Sequence, residues 1–139
     1  MTSALTGGCL CGAVRYRTAT PPGRVSHCHC QDCRKHSGAP FQTWANFATT
    51  DILFEAARPA IHASSAVAER GFCANCGTPL TFQYLETRDR LSLSVGSLDD
   101  PSAVTPECHY FAERPVSWLH LDDGLPRLDR HGDPIDDDG

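Results

Sequence analysis

Seven of the eight cysteines in this 139-residue chain fall into three short clusters. Cys9 and Cys11 form Cys-x-Cys. Cys28, Cys30 and Cys33 form Cys-x-Cys-x-x-Cys. Cys73 and Cys76 form Cys-x-x-Cys, followed by Gly77. Thiolates at such spacings are ligands for zinc. A structural zinc takes four protein ligands, whereas a catalytic zinc keeps one position open. Two pairs make one closed site, and the central triplet is left with three ligands and an open position.

The spacings carry a local argument. On a strand, residues i and i+2 share a side. Cys9 and Cys11 can offer two sulfurs to one ion, and Cys28 and Cys30 can do the same while His29 points away. The run Cys73-Ala74-Asn75-Cys76-Gly77 reads as a zinc knuckle, whose backbone N–H groups bond to the sulfurs. Gly77 tolerates the positive φ that such a turn demands. Two pairings are open. In the first, Cys9 and Cys11 join Cys73 and Cys76, and Cys28, Cys30 and Cys33 hold a second ion alone. In the second, Cys108 or a nearby histidine closes the triplet, and both sites are structural. Cys108 is otherwise a small apolar core residue.

Short strands must position these clusters. Ala13 to Thr18 alternates, as do Phe41, Thr43, Ala45 and Phe47, with Trp44 on the opposite face. Ile52 to Glu55, Ala66 to Phe72, Leu80 to Leu85 and Leu91 to Val95 are further strand candidates, punctuated by Thr49-Thr50-Asp51 and Thr87-Arg88-Asp89 as turns. No segment holds a 3.6-residue period for long, and Asp32 to His36 is the best candidate for a helical turn. The expectation is an all-β single domain over 1–128. The acidic stretch 129–139, ending Asp136-Asp137-Asp138-Gly139, lacks apolar anchors and is expected to be flexible.

The bulk numbers exclude several classes. Length gives one domain. A formal net charge of −5 repels phosphate backbones, so no nucleic-acid partner is expected. No apolar run approaches the roughly 20 residues of a membrane helix, and no membrane partner is expected. Met1-Thr2-Ser3-Ala4-Leu5-Thr6 shows no basic n-region, so a reducing cytoplasmic setting, with thiolates free for metal, is the consistent reading.

Longer stretches resemble the glutathione-dependent formaldehyde-activating enzyme family, which also includes the centromere-protein-V-like domains. Gly7-Gly8-Cys9-Leu10-Cys11-Gly12-Ala13-Val14-Arg15-Tyr16 is similar to the family's opening, and Cys28-His29-Cys30-Gln31-Asp32-Cys33-Arg34-Lys35-His36-Ser37-Gly38-Ala39-Pro40-Phe41 to its central motif. Phe72 to Leu80 is similar to its knuckle. Gly96 to Pro101, Pro106, His109, Trp118 and Asp123-Gly124-Leu125-Pro126 also fit, so the match spans about residues 7 to 127. The resemblance implies a β-tent fold and two zinc ions per chain. It implies a structural zinc on Cys9, Cys11, Cys73 and Cys76, and a catalytic zinc on Cys28, Cys30 and Cys33. It implies a carbon–sulfur lyase joining formaldehyde, or another small aldehyde, to glutathione or a similar thiol. Cys108-His109-Tyr110-Phe111 departs from the family, which more often places a non-cysteine before the histidine and an aliphatic residue after it.

Other residues are candidates for substrate contacts. Arg34 and Lys35 could attract the carboxylates of glutathione, or could be a solvated basic pair. Trp44 and Phe41 could line the pocket, His109 could donate a hydrogen bond near the zinc, and His36 could shuttle a proton. His62, His120 and His131 carry no pattern. The competing classes are a non-catalytic zinc-stabilised module, a zinc hydrolase and redox chemistry at Cys73 and Cys76. A redox motif would call for a βαβ context that the pattern does not offer. Three sulfur ligands suit a hydroxide-generating zinc less well than nitrogen-rich sites do.

Overall fold

The computed structural model describes residues 4–113 and 115–135. Its ten strands are short: β1 (Thr6–Gly8), β2 (Arg15–Thr18), β3 (Val25–Cys28), β4 (Gln42–Ala48), β5 (Ile52–Phe54), β6 (Ala60–Ala63), β7 (Ala68–Phe72), β8 (Pro79–Tyr84), β9 (Arg90–Ser94) and β10 (Cys108–Tyr110). One α-helix, α1 (Gln31–Ser37), follows β3. The all-β expectation holds, and the helical turn lies where the sequence placed it. The strands form two open sheets. One has the order β1-β2-β5, and the other β10-β3-β4-β9-β8-β7-β6. Every pairing in the larger sheet is antiparallel except β10 with β3.

Alternation along the central strands gives the larger sheet two distinct faces. Val25, Ala45, Phe47 and Leu93 point to one face, where they join Tyr16, Val14, Val95 and Leu98 in the core beneath the smaller sheet. Ser26 opposite Trp44, and Asn46 opposite Ser92, point to the other. Two close approaches lock the packing. A Cβ on Gly7 would lie 2.4 Å from Tyr16 Oη and 2.5 Å from the Ser97 carbonyl, so only glycine lets β1 sit against the Tyr16 ring. The Tyr16 hydroxyl, fully buried, bonds to Ser97 Oγ at 2.7 Å. Burial raises its pKa to about 12, so it stays protonated. At the rim, Asp99 accepts from Arg15 at 2.6 and 2.9 Å and from Thr6 Oγ1 at 2.7 Å, tying β1 and β2 of the smaller sheet to the segment that follows β9.

Residues 129–135 open the segment expected to be flexible, and they make a tight turn. Asp129 Oδ1 accepts from the N–H groups of His131 and Asp133, and Ile135 N–H bonds to the Arg127 carbonyl. The turn is held by side-chain-to-backbone and backbone hydrogen bonds rather than by apolar contacts. Asp136-Asp137-Asp138-Gly139 lies outside the described residues. Among the described residues, no helix is long and apolar enough to cross a membrane.

Candidate metal centres and cavity

The first cluster gathers Cys9, Cys11, Cys73 and Cys76, their sulfurs all within 4.8 Å of one another. A tetrahedron with Zn–S bonds of about 2.3 Å puts sulfurs about 3.8 Å apart. Cys9 to Cys11 is 3.6 Å and Cys11 to Cys73 is 3.8 Å, so four thiolates at these separations fit a zinc ion. The surroundings suit thiolates as well. Val14 N–H donates to Cys9 Sγ at 3.2 Å, Cys76 N–H to Cys73 Sγ at 3.4 Å, and Asn75 Nδ2 to Cys11 Sγ at 3.2 Å. Thr78 Oγ1 accepts from Leu10 N–H at 3.0 Å, which leaves its own hydrogen to point at Cys76 Sγ, 3.2 Å away. That bond and the Thr78 amide lower the Cys76 thiol to about 5. Gly77 closes the knuckle at φ +83°, its N–H bonding to the Cys73 carbonyl.

The second cluster is Cys28, Cys30 and Cys33, again within 4.8 Å. Cys28 is the last residue of β3. Cys30 caps α1, its Sγ accepting from Cys33 N–H at 3.3 Å, and Cys33 occupies the buried side of the first turn. A strand end running into a capped helix therefore sets all three sulfurs. Cys30 accepts hydrogen bonds from the other two thiols and is held far below the ordinary thiol range, while Cys28, donating to it, is pushed up. Donors also reach the sulfurs from the sheet. Trp44 Nε1 lies 3.4 Å and Arg70 Nη2 3.5 Å from Cys33 Sγ. Three sulfurs with convergent donors could hold a metal ion. Among the described residues no fourth cysteine, histidine or carboxylate joins the group, and Cys108 is not part of it.

The triplet faces a cavity of about 590 Å³ on the sheet face away from the core. Trp44, Phe82 and Tyr84 make its apolar wall, and Ser26, Asn46 and Ser92 add hydroxyl and amide groups. Arg24, Arg130 and His131 also line it, the latter two supplied by the turn after Leu128. Arg70 sits deep in the wall, only 5% exposed, with its guanidinium 4.8 Å from the Phe82 ring centroid. No carboxylate among the described residues pairs with it. Its Nη1 makes long contacts of 3.5 Å to Gln42 Oε1 and His36 Nδ1.

Against this geometry, the candidates for substrate contact separate. Trp44 lies at the triplet and lines the cavity. Arg34 lines a neighbouring groove of about 410 Å³, which Cys30 shares, and Lys35 is exposed on α1. Neither residue lines the main cavity. The reason is helical phase: Cys33 takes the inward position, which turns its two successors away. His36 packs inward instead, stacked on Trp44, and burial lowers its pKa. His109 is fully buried behind β3 and touches His29 rather than a sulfur. Phe41 packs there too, against His27 and His29. Burial lowers His29 to about 4.

A profile of the glutathione-dependent formaldehyde-activating enzyme family matches residues 4–114. The chain belongs to that family. An uncharacterized lyase of Schizosaccharomyces pombe is 29% identical over 132 residues, covering 88% of this chain and 95% of the yeast protein. A putative glutathione-dependent formaldehyde-activating enzyme of Halomonas elongata is 26% identical over 127 residues, covering 85% of this chain and 81% of that one. A crystal structure of a Rhodobacter sphaeroides protein shares the fold, with a TM-score of 0.59 at 21% identity over 73% of this chain and 92% of its own. The family match spans all three cysteine clusters. It says nothing of Arg70, Arg24, Tyr84 or Arg130, which sequence reasoning missed. Arg70 alone left a signal: a charge at an inward position of an alternating strand.

Proposed function

We propose that this protein is a zinc-dependent carbon–sulfur lyase. Its substrates are adducts of glutathione, or a similar thiol, with formaldehyde or another small aldehyde. Cys9, Cys11, Cys73 and Cys76 hold one structural zinc, and Cys28, Cys30 and Cys33 hold a second with one position open to the cavity. The observation that carries this reading is a triplet of sulfurs facing a 590 Å³ cavity with no fourth protein donor among the described residues. A closed pair of four-sulfur sites would support only a structural module.

Zinc at the triplet supplies the means of turning a bound thiol, ordinarily near pKa 8.5, into thiolate at neutral pH. Three thiolates outweigh a divalent cation by one negative charge. Arg70 and the Trp44 N–H, both directed at Cys33 Sγ, offset it and keep the sulfurs from losing a fourth ligand to mutual repulsion. Phe82 and Trp44 exclude water from the apolar side, so that thiol and aldehyde meet in one place; confinement of two reactants is itself a large source of rate. Arg24 and Arg130 put positive charge where the carboxylates of a glutathione-sized thiol would reach. That local field opposes the net charge of −5.

The test is a pair of measurements on Cys30→Ser. The variant should lose the second zinc and with it the formation and cleavage of the thiol–aldehyde adduct, while retaining the first zinc. Adduct chemistry that persists without the second ion would overturn the proposal.

A further inference from the structure

On the side of β3 away from the triplet, a second convergence of ligating groups remains unused by the reaction above. We propose that His27, His109 and Asp123 form a separate metal site for one divalent first-row transition cation, held by His27 Nε2, His109 Nε2 and Asp123 Oδ2. One ring nitrogen from each histidine and one carboxylate oxygen of Asp123 lie within 4.8 Å of one another.

Three elements build the site. β10 runs parallel to β3 with His109 directly beside His27, so both imidazoles leave the sheet on the same face. The chain then returns along β10, with His109 N–H bonding to the Pro126 carbonyl and Leu128 N–H to the His109 carbonyl. The turn before that return, with Gly124 at φ +70°, delivers the Asp123 carboxylate to the two rings. Asp123 is exposed and His109 fully buried, so an ion enters past the carboxylate and stops at the imidazoles.

Each donor is oriented by a hydrogen bond at its other atom. His27 Nδ1 bonds to Thr43 Oγ1 at 2.8 Å, which commits that nitrogen and leaves Nε2 for a ligand. His109 Nδ1 lies 2.9 Å from His29 Nε2, and can donate to it. Asp123 Oδ1 accepts from Leu125 N–H at 3.1 Å, leaving Oδ2, which is 2.8 Å from His109 Nε2. Anchoring the distal nitrogen of each ligating histidine and the spare oxygen of the carboxylate is how proteins fix tautomer and direction at metal sites. Ring spacing agrees. Two imidazoles bound about 2.1 Å from one tetrahedral or octahedral ion have centroids roughly 5 Å apart, and these two are 4.8 Å apart. Two imidazoles and one carboxylate on one side of an ion leave its other positions to solvent, a donor set suited to zinc, iron, cobalt or nickel.

The site is independent of the thiolate centres and of the lyase reading, and the experiment keeps them apart. Full-length protein with its thiolate sites filled by zinc is titrated with Co²⁺, with cobalt and zinc counted after gel filtration. One further equivalent of Co²⁺ should bind, with weak d–d bands and none of the intense near-ultraviolet bands of sulfur-bound cobalt, and without displacing zinc. Asp123→Asn, a change at an exposed side chain, should weaken that equivalent by about tenfold or more. His27→Gln should do the same, both at unchanged zinc content. No further equivalent in the unaltered protein, or equal uptake by both variants, would overturn the site and reduce the three groups to a hydrogen-bonded cluster. Cobalt spectra with strong sulfur bands would also overturn it, since they would place the added ion on cysteine.

Discussion

Cys33 Sγ collects two sheet-borne donors, and each has a measurable share in holding a metal. Arg70→Gln removes a buried guanidinium from beside three thiolates. Partners of this kind typically cost 10–100-fold in metal affinity when removed, so zinc affinity at the triplet should fall by about that factor. Affinity at the four-sulfur centre should not change, as competition with a chromophoric chelator can show. Trp44→Phe keeps an aromatic ring and deletes the N–H, and should cost about 1.5–3 kcal/mol at the same site, the scale of a hydrogen bond to a charged acceptor. At this scale the sequence was clear for the sulfurs, because Cys-x-Cys and Cys-x-x-Cys constrain geometry locally. It named Trp44 as a candidate to line the pocket but gave no sign of its N–H reaching Cys33 Sγ. For Arg70 it held only a charge within a strand, and its place beside Cys33 depends on β7 reaching the triplet across three intervening strands. Arg34 and Lys35 adjoin the motif in sequence and turn away from the main cavity in space.

Among the elements, the strands with clean alternation, β2, β4, β7, β8 and β9, stood out in the sequence. β1, β3, β6 and β10 are three or four residues long and did not. In β3 the residues Val25-Ser26-His27-Cys28 show no apolar period. Its existence follows from pairing with β4 on one side and β10 on the other. The joint between sheets gives two tests. Gly7→Ala would drive a methyl into the Tyr16 hydroxyl and the Ser97 carbonyl, and should destabilise by about 1–3 kcal/mol in denaturant unfolding. Asp99 is the other. Its hydrogen bonds from Arg15 and Thr6 hold the carboxyl at about 2, below the unfolded value of about 3.9. A lowered carboxyl stabilises the fold while ionised. Its contribution is therefore complete above about pH 4 and fades as pH falls towards 2. The difference in stability between the unaltered protein and Asp99→Asn should follow that course. Both partners are more than 40% exposed, so solvent screening keeps the plateau under about 1 kcal/mol.

Over the whole molecule, the two cysteine clusters differ in how much chain a metal bound at each would tie together. The four-sulfur cluster links Cys9 and Cys11 before β2 to Cys73 and Cys76 between β7 and β8, across more than sixty residues of chain. A metal bound there only in the folded state adds its binding free energy to folding. Cys73→Ser, or prolonged chelation, should lower the melting temperature strongly. Cys30→Ser should leave it much closer to that of the unaltered protein, because the triplet lies within six residues and closes no long loop. Differential scanning calorimetry of the two variants distinguishes them. All-β character and the three cysteine clusters were legible at this scale, since they rest on counts and spacing; that the two pairs join each other was implied by the family resemblance, and the fold brings those four sulfurs together. The cavity was not. Its walls come from β3, β4, β7, β8, β9 and the turn after Leu128, and no local pattern encodes which strands become neighbours.

The central claim is an ion on Cys28, Cys30 and Cys33 that accepts a ligand from solution. Zinc X-ray absorption on the fully loaded protein, with and without glutathione, tests it most directly. The account predicts seven sulfurs shared by two zinc ions in the free protein and one more sulfur when glutathione is added, with no such gain in Cys30→Ser. Four protein sulfurs on each ion from the outset, or a spectrum unchanged by glutathione, would contradict it.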